Sequence, residues 1–371
     1  MRRCEMRASI KPPGFLLAIQ GGVRAVWQAL SAPLGGTALV ACFLAAFAQL
    51  ASAAAPPAAG AESQAQQGAP IRNMDALSVV LLRATAPRDA RSAGSLGVER
   101  HGSGIVIDTN GLILTIGYLI LEAEGVEVIP ADGKAIPATV VGYDHVTGFG
   151  LVRASLPLAI KPIELGESGT LPEREPVLIA GFDGVAPAYV VSKRQFAGFW
   201  EYLLDSAIFT APATVNWSGA ALIGRDGKLY GVGSLVVTDA IKPQTYSPGN
   251  MFVPIDLLKP ILGDLIGNGR VSGPARPWIG VNTQEMQGGQ LVVTRVTRDG
   301  PAEKSGLKAG DIIVRLGGQP ISGQVDFYRK LWGKGPAGTQ IPVSVLQGAE
   351  VKDLVIQSID RDQHLKTRRI Y

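Results

Sequence analysis

The chain has 371 residues, of which 46% are hydrophobic and 18% are charged, so it holds enough apolar material for two or three folded domains and is not a disordered chain. Its 46 glycines and 25 prolines show no triplet repeat, which excludes a collagen-like chain and favours a turn-rich β protein. The net charge is +4, but residues 1–53 alone carry five basic residues and one acidic residue. Because the rest of the chain is close to neutral, a nucleic-acid partner is not expected.

The first segment, residues 1–53, reads as a targeting sequence. A basic start leads into the uncharged apolar run Thr37–Ala55, and Ala51-Ser52-Ala53 is a small-x-small cleavage pattern typical of an export signal. Two alternatives remain open. The run is long enough to be an uncleaved membrane anchor, which would be the chain's only membrane contact, and Leu39-Val40-Ala41-Cys42 resembles a lipobox.

Residues 54–70 form a low-complexity linker rich in Ala, Pro, Gln and Gly. The only cysteines, Cys4 and Cys42, precede it, so a chain cut after Ala53 has neither a disulfide framework nor a cysteine-ligated metal site. Export without cysteine fits a bacterial periplasm.

Residues 71–267 consist of short apolar runs between Gly, Pro and Asp turns, which predicts a β-barrel or sandwich. Thr109-Asn110-Gly111 and Arg225-Asp226-Gly227 lie between apolar runs and predict hairpin turns. The segment Pro254–Ile266 is predicted to be a closing helix.

Residues 268–277 are a Gly/Pro/Arg linker, and residues 278–360 form a second, smaller unit before the basic tail 361–371. Strands are expected near residues 278–281, 290–296, 311–318 and 341–347, and helices near Pro301–Ser305 and Gln324–Trp332.

Several motifs resemble the HtrA/DegP family of trypsin-like serine proteases. They are GSGIVIDTNGLILTIGYLI from Gly102, VVGYDHVTGFGLV (140–152), PVLIAGFDG (176–184) and ATVNWSGAALIGRDGKLYGVGS (213–234). RPWIGV (276–281) and GPAEKSGLKAGDIIVRLGGQPI (300–321) are similar to the PDZ domain that follows the protease in that family. The resemblance implies a mainly β protein, with a trypsin-like double β-barrel followed by an α+β PDZ-like domain.

By this resemblance Ser218 occupies the nucleophile position, Tyr118 replaces the family histidine and Gly148 replaces the family aspartate. A phenol with a pKa near 10 is a poor base at pH 7, and glycine has no side chain with which to orient a base. The oxyanion position belongs to the backbone of Asn216 and Ser218, where asparagine replaces the family glycine and Trp217 adds bulk. Ordinary triad hydrolysis is therefore not expected.

Three histidines, His101, His145 and His364, are the only candidates for another base. His145 precedes Gly148 by three residues and is kept as the one alternative base, although a solvated loop histidine is the simpler reading. Asp144 is expected to be a turn residue. No cofactor and no metal site are expected, because three scattered histidines do not make a zinc site.

In the second unit the resemblance assigns Trp278, Ile279, Gly280 and Val281 to the loop that binds a peptide carboxylate. Such a domain adds an extended peptide to a sheet edge, while successive N–H groups form a nest for the carboxylate. The helix at 324–332 would form the other wall, with its register open among Val325, Phe327, Tyr328 and Leu331.

The preferred function is an exported pseudoprotease that binds exposed C-termini or unfolded segments in envelope protein quality control. Two alternatives stay open: an active serine endopeptidase that uses Ser218 with an unorthodox base, and a regulatory subunit of an active paralogue. The family resemblance makes a homotrimer or a mixed trimer with that paralogue plausible.

Overall fold

The structure is a computed structural model that describes residues 74–365. The expected leader (1–53), the linker (54–70) and the end of the basic tail (366–371) lie outside the described residues. Within the described part, no helix is both long and apolar enough to cross a membrane.

Twelve strands form two closed antiparallel barrels. The first barrel has the order β1-β2-β3-β6-β5-β4 and contains β1 (Val79–Thr85), β2 (Glu99–Val106), β3 (Leu112–Ile116), β4 (Gly125–Ile129), β5 (Ile136–Tyr143) and β6 (Phe149–Ala154). The second has the order β10-β11-β12-β9-β8-β7 and contains β7 (Pro176–Gly181), β8 (Gly184–Gly198), β9 (Tyr202–Ala211), β10 (Ala221–Ile223), β11 (Leu229–Val237) and β12 (Gly249–Pro254). Closure pairs every strand on both sides, so neither barrel leaves a free edge.

Both predicted hairpin turns are confirmed, since Asn110-Gly111 joins β2 to β3 and Asp226-Gly227 joins β10 to β11. In the first turn Asp108 Oδ1 accepts hydrogen bonds from the N–H groups of Asn110 and Leu112, and Gly111 takes φ +75°. The turn thus uses an Asp side chain and a left-handed glycine, as the sequence pattern indicated.

The predicted closing helix Pro254–Ile266 is wrong in its extent. A short 3-10 helix spans Ile255–Leu257, and the α-helix begins only at Leu262 and ends at Asn268. The reason is Pro260, whose ring disfavours a helical conformation at the preceding residue.

Residues beyond the second barrel form a smaller domain with the sheet order β13-β14-β15-β17-β18 and β16 paired to β15. Its strands are β13 (Val281–Glu285), β14 (Leu291–Val296), β15 (Ile312–Leu316), β16 (Gln319–Pro320), β17 (Gln340–Gln347) and β18 (Glu350–Gln357). The helices of the described chain are α1 (Ala93–Leu96), α2 (Leu262–Asn268), α3 (Pro301–Lys304), α4 (Gln324–Trp332) and α5 (Arg361–His364), with further 3-10 turns at Met74–Leu77 and Gly117–Leu119. The double barrel followed by an α+β domain confirms the expected fold class.

The strand expected at residues 278–281 begins only at Val281. Gly280 has φ +84°, which interrupts an extended strand, and Trp278 pairs instead with Ile359. Strand β18 was not predicted, because its outward-facing charges hide the apolar alternation: only Ile356 of its eight residues is buried.

One feature of the second barrel reaches the smaller domain. Strands β8 and β9 form a long hairpin whose three-residue turn, Phe199–Glu201, contacts residues of β13 and α4. We call Phe199–Glu201 the tip loop.

Candidate active site and peptide groove

Ser218 lies in the turn between β9 and β10, packed against the start of the first barrel. Its carbonyl accepts a hydrogen bond from the Ser103 N–H at 2.8 Å. A Cβ added at Gly102 would come within 2.8 Å of the Ser218 carbonyl oxygen and 3.1 Å of Oγ. Gly219 follows with φ +73°, and a side chain there would collide with the Ser103 carbonyl. The turn that presents Ser218 therefore depends on two glycines.

Tyr118 lies directly beside the serine. Its hydroxyl is 3.0 Å from Ser218 Oγ and donates a hydrogen bond to the Ser234 carbonyl at 3.0 Å. Since the phenol has only one proton, the Ser218 hydroxyl donates to the phenol oxygen. Burial raises the pKa of Tyr118 well above its ordinary value, so the phenol stays neutral. The nucleophile position is thus hydrogen-bonded to a group that does not take up its proton.

A buried arginine that sequence reasoning missed fixes the backbone of this tyrosine. Arg100 is 1% exposed and donates to the carbonyls of Tyr118 at 3.1 Å and Leu121 at 2.5 Å, and to Ser92 Oγ at 2.8 Å. The nearby Glu122 carboxylate opposes the lowering of the Arg100 pKa by burial. The sequence signal that could have identified Arg100 is its position in β2, where the alternation of buried and exposed residues places its side chain inward.

Gly148 lies at the first barrel's rim with φ +82° and accepts a hydrogen bond from the Gly117 N–H at 2.7 Å. A Cβ at this position would lie 3.4 Å from the Tyr202 hydroxyl, which donates to the Thr147 carbonyl at 2.6 Å. Tyr202 therefore occupies the space next to position 148. Asp144, expected to be a turn residue, accepts from the Thr147 N–H and hydroxyl within the same loop.

His145, the alternative base, is paired elsewhere. Its Nε2 lies 2.6 Å from Asp362 Oδ1, and its Nδ1 is buried without a hydrogen-bond partner. Together with Glu201 and Trp278 it lines a cavity of about 270 Å³ at the boundary of the two domains. Among residues 74–365 no hydrogen bond joins His145 to Ser218.

The other two histidines contact aromatic rings. His101 packs edge-on against Phe182 at 6.4 Å between ring centroids, and the His364 ring lies 5.0 Å from that of Trp278. The described chain contains no group of three His, Cys, Asp or Glu side chains that could hold a metal ion.

The resemblance assigns the Asn216 N–H to the oxyanion position, and the structure gives this N–H an acceptor inside its own loop. The N–H of Asn216 donates to Thr214 Oγ1 at 3.4 Å, within its own loop. The Trp217 ring lies 6.4 Å from the Tyr118 ring. An oxyanion hole requires its donors to face a common point outside the loop. The Asn216 donor is turned away from such a point.

In the smaller domain three successive N–H groups converge on one carboxylate. Gly280 and Val281 donate to Glu201 Oε1 at 2.7 and 3.0 Å, and Ile279 donates to Oε2 at 3.2 Å. A Cβ at Gly280 would approach the Trp278 ring to 3.1 Å, so the loop requires glycine. Three of the four residues assigned to the carboxylate loop thus form a nest. Trp278 does not contribute, because its N–H donates to the Ile359 carbonyl at 3.0 Å.

The opposite wall of this groove is α4. Phe327, Tyr328 and Leu331 are fully buried, whereas Val325 is partly exposed. The Tyr328 hydroxyl donates to the Gly198 carbonyl at 2.7 Å. The helix register that the sequence left open therefore turns Tyr328 toward the groove.

Two closed barrels followed by an α+β domain define a trypsin-like peptidase fold joined to a PDZ domain. Family models agree: residues 102–232 match the trypsin-like peptidase domain, and residues 277–357 match the PDZ domain. In both domains and in their order, the chain is similar to serine proteases of the HtrA-like family.

Curated relatives include a probable periplasmic serine endoprotease DegP-like of Pseudomonas putida, 27% identical over 72% of this chain and 57% of the relative. The serine protease PepD of Mycobacterium tuberculosis is 28% identical over 89% of this chain and 74% of its own length. This chain spans little more than half of the DegP-like relative. A solved serine endoprotease from Yersinia pestis has 23% identity and a TM-score of 0.46, covering 78% of this chain and 95% of that one.

Proposed function

We propose that this protein is a catalytically impaired member of the HtrA-like family. It would bind exposed C-termini or unfolded segments through its PDZ domain. The observation that carries the proposal is the hydrogen bond between Ser218 Oγ and the neutral Tyr118 phenol. A serine hydroxyl attacks an acyl carbon only when a base removes its proton.

Neither Gly148 nor His145, the two other positions that the sequence offered, supplies that base. Gly148 has no side chain, Tyr202 fills the adjacent space, and His145 is held by Asp362. Without triad members, binding and an intact oxyanion hole support roughly 10³–10⁴-fold acceleration over water. Here the Asn216 N–H is also turned away, so we expect even less.

The binding half of the proposal rests on the nest of Ile279, Gly280 and Val281 and on the buried apolar residues beside it. A nest of N–H groups beside the terminal strand of a sheet and an apolar helix wall is the arrangement that PDZ domains use for chain ends. The side chains buried around the nest, among them Ile279, Val281 and Leu331, are apolar, so we expect an apolar last residue in the ligand.

We place the protein in the bacterial periplasm and in envelope protein quality control. Two observations support this location: residues 1–53 have the pattern of an export signal, and the DegP-like relatives are described as probable periplasmic endoproteases. In this proposal the protein contacts the membrane only if residues 1–53 remain uncleaved.

Labelling by a fluorophosphonate probe tests the catalytic half directly, because the probe reacts only with an activated serine. We expect no label on Ser218 of the purified protein, under conditions in which trypsin labels fully. Ser218→Ala is the matched control. Stoichiometric label on the wild type but not on Ser218→Ala would establish the alternative, an active endopeptidase.

A gain-of-function variant keeps that negative result informative. Tyr118→His places an imidazole where the phenol now meets Ser218 Oγ, so slow labelling of Ser218 should appear. Absence of any label in this variant would show that an imidazole at position 118 alone does not activate the serine, which leaves Gly148 and the turn at Asn216 as further obstacles.

A further inference from the structure

The groove that should read a peptide already holds a ligand from the same chain. The Glu201 carboxylate, on the tip loop of the β8–β9 hairpin, accepts all three N–H groups of the nest. Glu201 is 7% exposed, so this carboxylate is shielded from solvent. Its contacts are those that a C-terminal carboxylate would make with Ile279, Gly280 and Val281.

The backbone before Glu201 also follows the path of a bound peptide. The Thr283 N–H of β13 donates to the Phe199 carbonyl at 2.9 Å. Residue 201 meets Val281 while residue 199 meets Thr283, so the tip loop runs antiparallel to β13. On the other wall, Gln324 Nε2 and the Tyr328 hydroxyl donate to the Gly198 carbonyl at 2.8 and 2.7 Å. The segment is therefore held by both the strand and the helix of the groove.

The conformation of Glu201 indicates that this contact is selected rather than incidental to the turn. Glu201 has φ +58°, in the left-handed region, at the last position of a three-residue hairpin loop. That position favours glycine or asparagine, because other side chains are strained in the left-handed region. Burial raises the Glu201 pKa to about 7 although three N–H groups oppose the rise. The left-handed backbone and the burial of the carboxyl group are both unfavourable, and the hydrogen bonds to the nest offset them.

We propose that the tip loop Phe199–Glu201 is a built-in ligand of the PDZ groove, and that an external chain end binds only by displacing it. The inference rests on the proposed peptide-binding function and adds its regulation and its ligand class. The external ligand is an extended segment with a free carboxylate and an apolar last residue. Because a tethered ligand acts at an effective concentration in the millimolar range, it excludes weak external ligands.

The most informative variant is Glu201→Gly in the full chain. Glycine suits the left-handed loop position, so the hairpin keeps its turn while the nest loses its carboxylate. The matched control is Asp205→Asn, on the same hairpin, where the exposed Asp205 pairs with Arg329 of α4 at 3.2 Å without touching the nest.

Two readouts are used. Amide hydrogen exchange should rise at least tenfold at Gly280 and Val281 in Glu201→Gly and stay unchanged in Asp205→Asn. The labelled peptide QFAGFWV has the sequence of residues 195–200 followed by a valine with a free carboxylate in place of Glu201. It should bind Glu201→Gly at least tenfold more tightly than it binds the wild type. Its C-terminal amide should bind neither protein.

The outcomes separate this inference from the proposed function. Equal peptide affinity and equal exchange in wild type and Glu201→Gly would overturn the inference, because the groove would already be open, and would leave peptide binding standing. Faster exchange without binding of the peptide to either protein would overturn displacement and peptide binding together, leaving Glu201 as an internal clamp.

Discussion

The Ser218 cleft and the PDZ groove differ in what each keeps of its binding chemistry. In the cleft the serine remains, but its partner is a phenol and position 148 has no side chain. In the groove the donors remain, and a carboxylate from the same chain occupies them. Ser218 thus bonds to a group that does not take up its proton, whereas the donors of the nest are bound to a carboxylate of the same chain.

Similar architecture can therefore be retained for different reasons. The cleft is held by buried hydrogen bonds whose loss would destabilise the barrel whether or not the serine reacts. The groove contains a buried glutamate in a left-handed conformation, and its side chain accepts hydrogen bonds from the nest. Variants in the two regions should therefore differ in kind, stability loss in the cleft and ligand release in the groove.

The largest effect is expected from Arg100→Met. It removes the donor to the Tyr118 and Leu121 carbonyls and leaves both buried acceptors unpaired. We expect the free energy of unfolding in urea to fall by about 3–5 kcal/mol. The control is Arg83→Met on the neighbouring strand, whose exposed pair with Glu127 should contribute less than about 1 kcal/mol. Equal losses in both variants would show that Arg100 does not support the cleft.

The Glu201 carboxyl group should make the free energy of unfolding depend on pH. Burial raises the Glu201 pKa from 4.5 to about 7, so the folded state holds this proton more tightly than the unfolded state. Its stabilising contribution is fully present below pH 4.5 and is lost as pH rises through about 7, by up to about 3 kcal/mol.

Urea unfolding of wild type and Glu201→Gln between pH 4 and 8 measures this contribution. The loss should be present in wild type and absent in the glutamine variant. His145 acts in the opposite direction, because burial lowers its pKa and stability falls as pH falls below 6.5, but it is the same in both proteins and cancels. The positive charge of Arg361, which lowers the Glu201 pKa, also stays constant. Parallel pH curves would contradict a buried carboxylate in the nest.

A smaller effect is expected from Tyr118→Phe. The Ser234 carbonyl loses its donor and Ser218 loses its acceptor, so unfolding should become easier by about 1 kcal/mol. No hydrolysis of casein should appear, because freeing the serine hydroxyl does not supply a base. Appearance of activity would show that Tyr118 suppresses a serine that another group activates.

The smallest effect is expected from Asp205→Asn, which breaks an exposed pair with Arg329 between the hairpin and α4. We expect a stability change within about 0.5 kcal/mol and a peptide Kd within about twofold of wild type. A tenfold change in Kd would show that the hairpin is held by charge outside the nest.

The fold was predictable because its signals are local. Turn dipeptides such as Asn110-Gly111 and short apolar runs mark strands wherever they occur, and the motifs around Gly102 and Ser218 identify their order. The predicted helix Pro254–Ile266 was wrong in extent, because its apolar periodicity continues across Pro260 although the backbone does not stay helical there.

The groove residues Ile279–Val281 were predictable from their motif, but their occupant was not. Glu201 precedes them by about eighty positions, and only the β8–β9 hairpin brings it there. Arg100 was missed for a related reason: its partners, the Tyr118 and Leu121 carbonyls, are backbone groups that leave no trace in the sequence. The pairing of His145 with Asp362 likewise depends on how the C-terminal segment folds back.

The most direct test of the central claim is β-casein degradation by the purified protein beside Ser218→Ala. A cleft in which Ser218 is hydrogen-bonded to a neutral phenol predicts that neither protein degrades casein over hours at pH 7. Degradation by the wild type and not by Ser218→Ala would contradict the account, because it would require a base acting on Ser218.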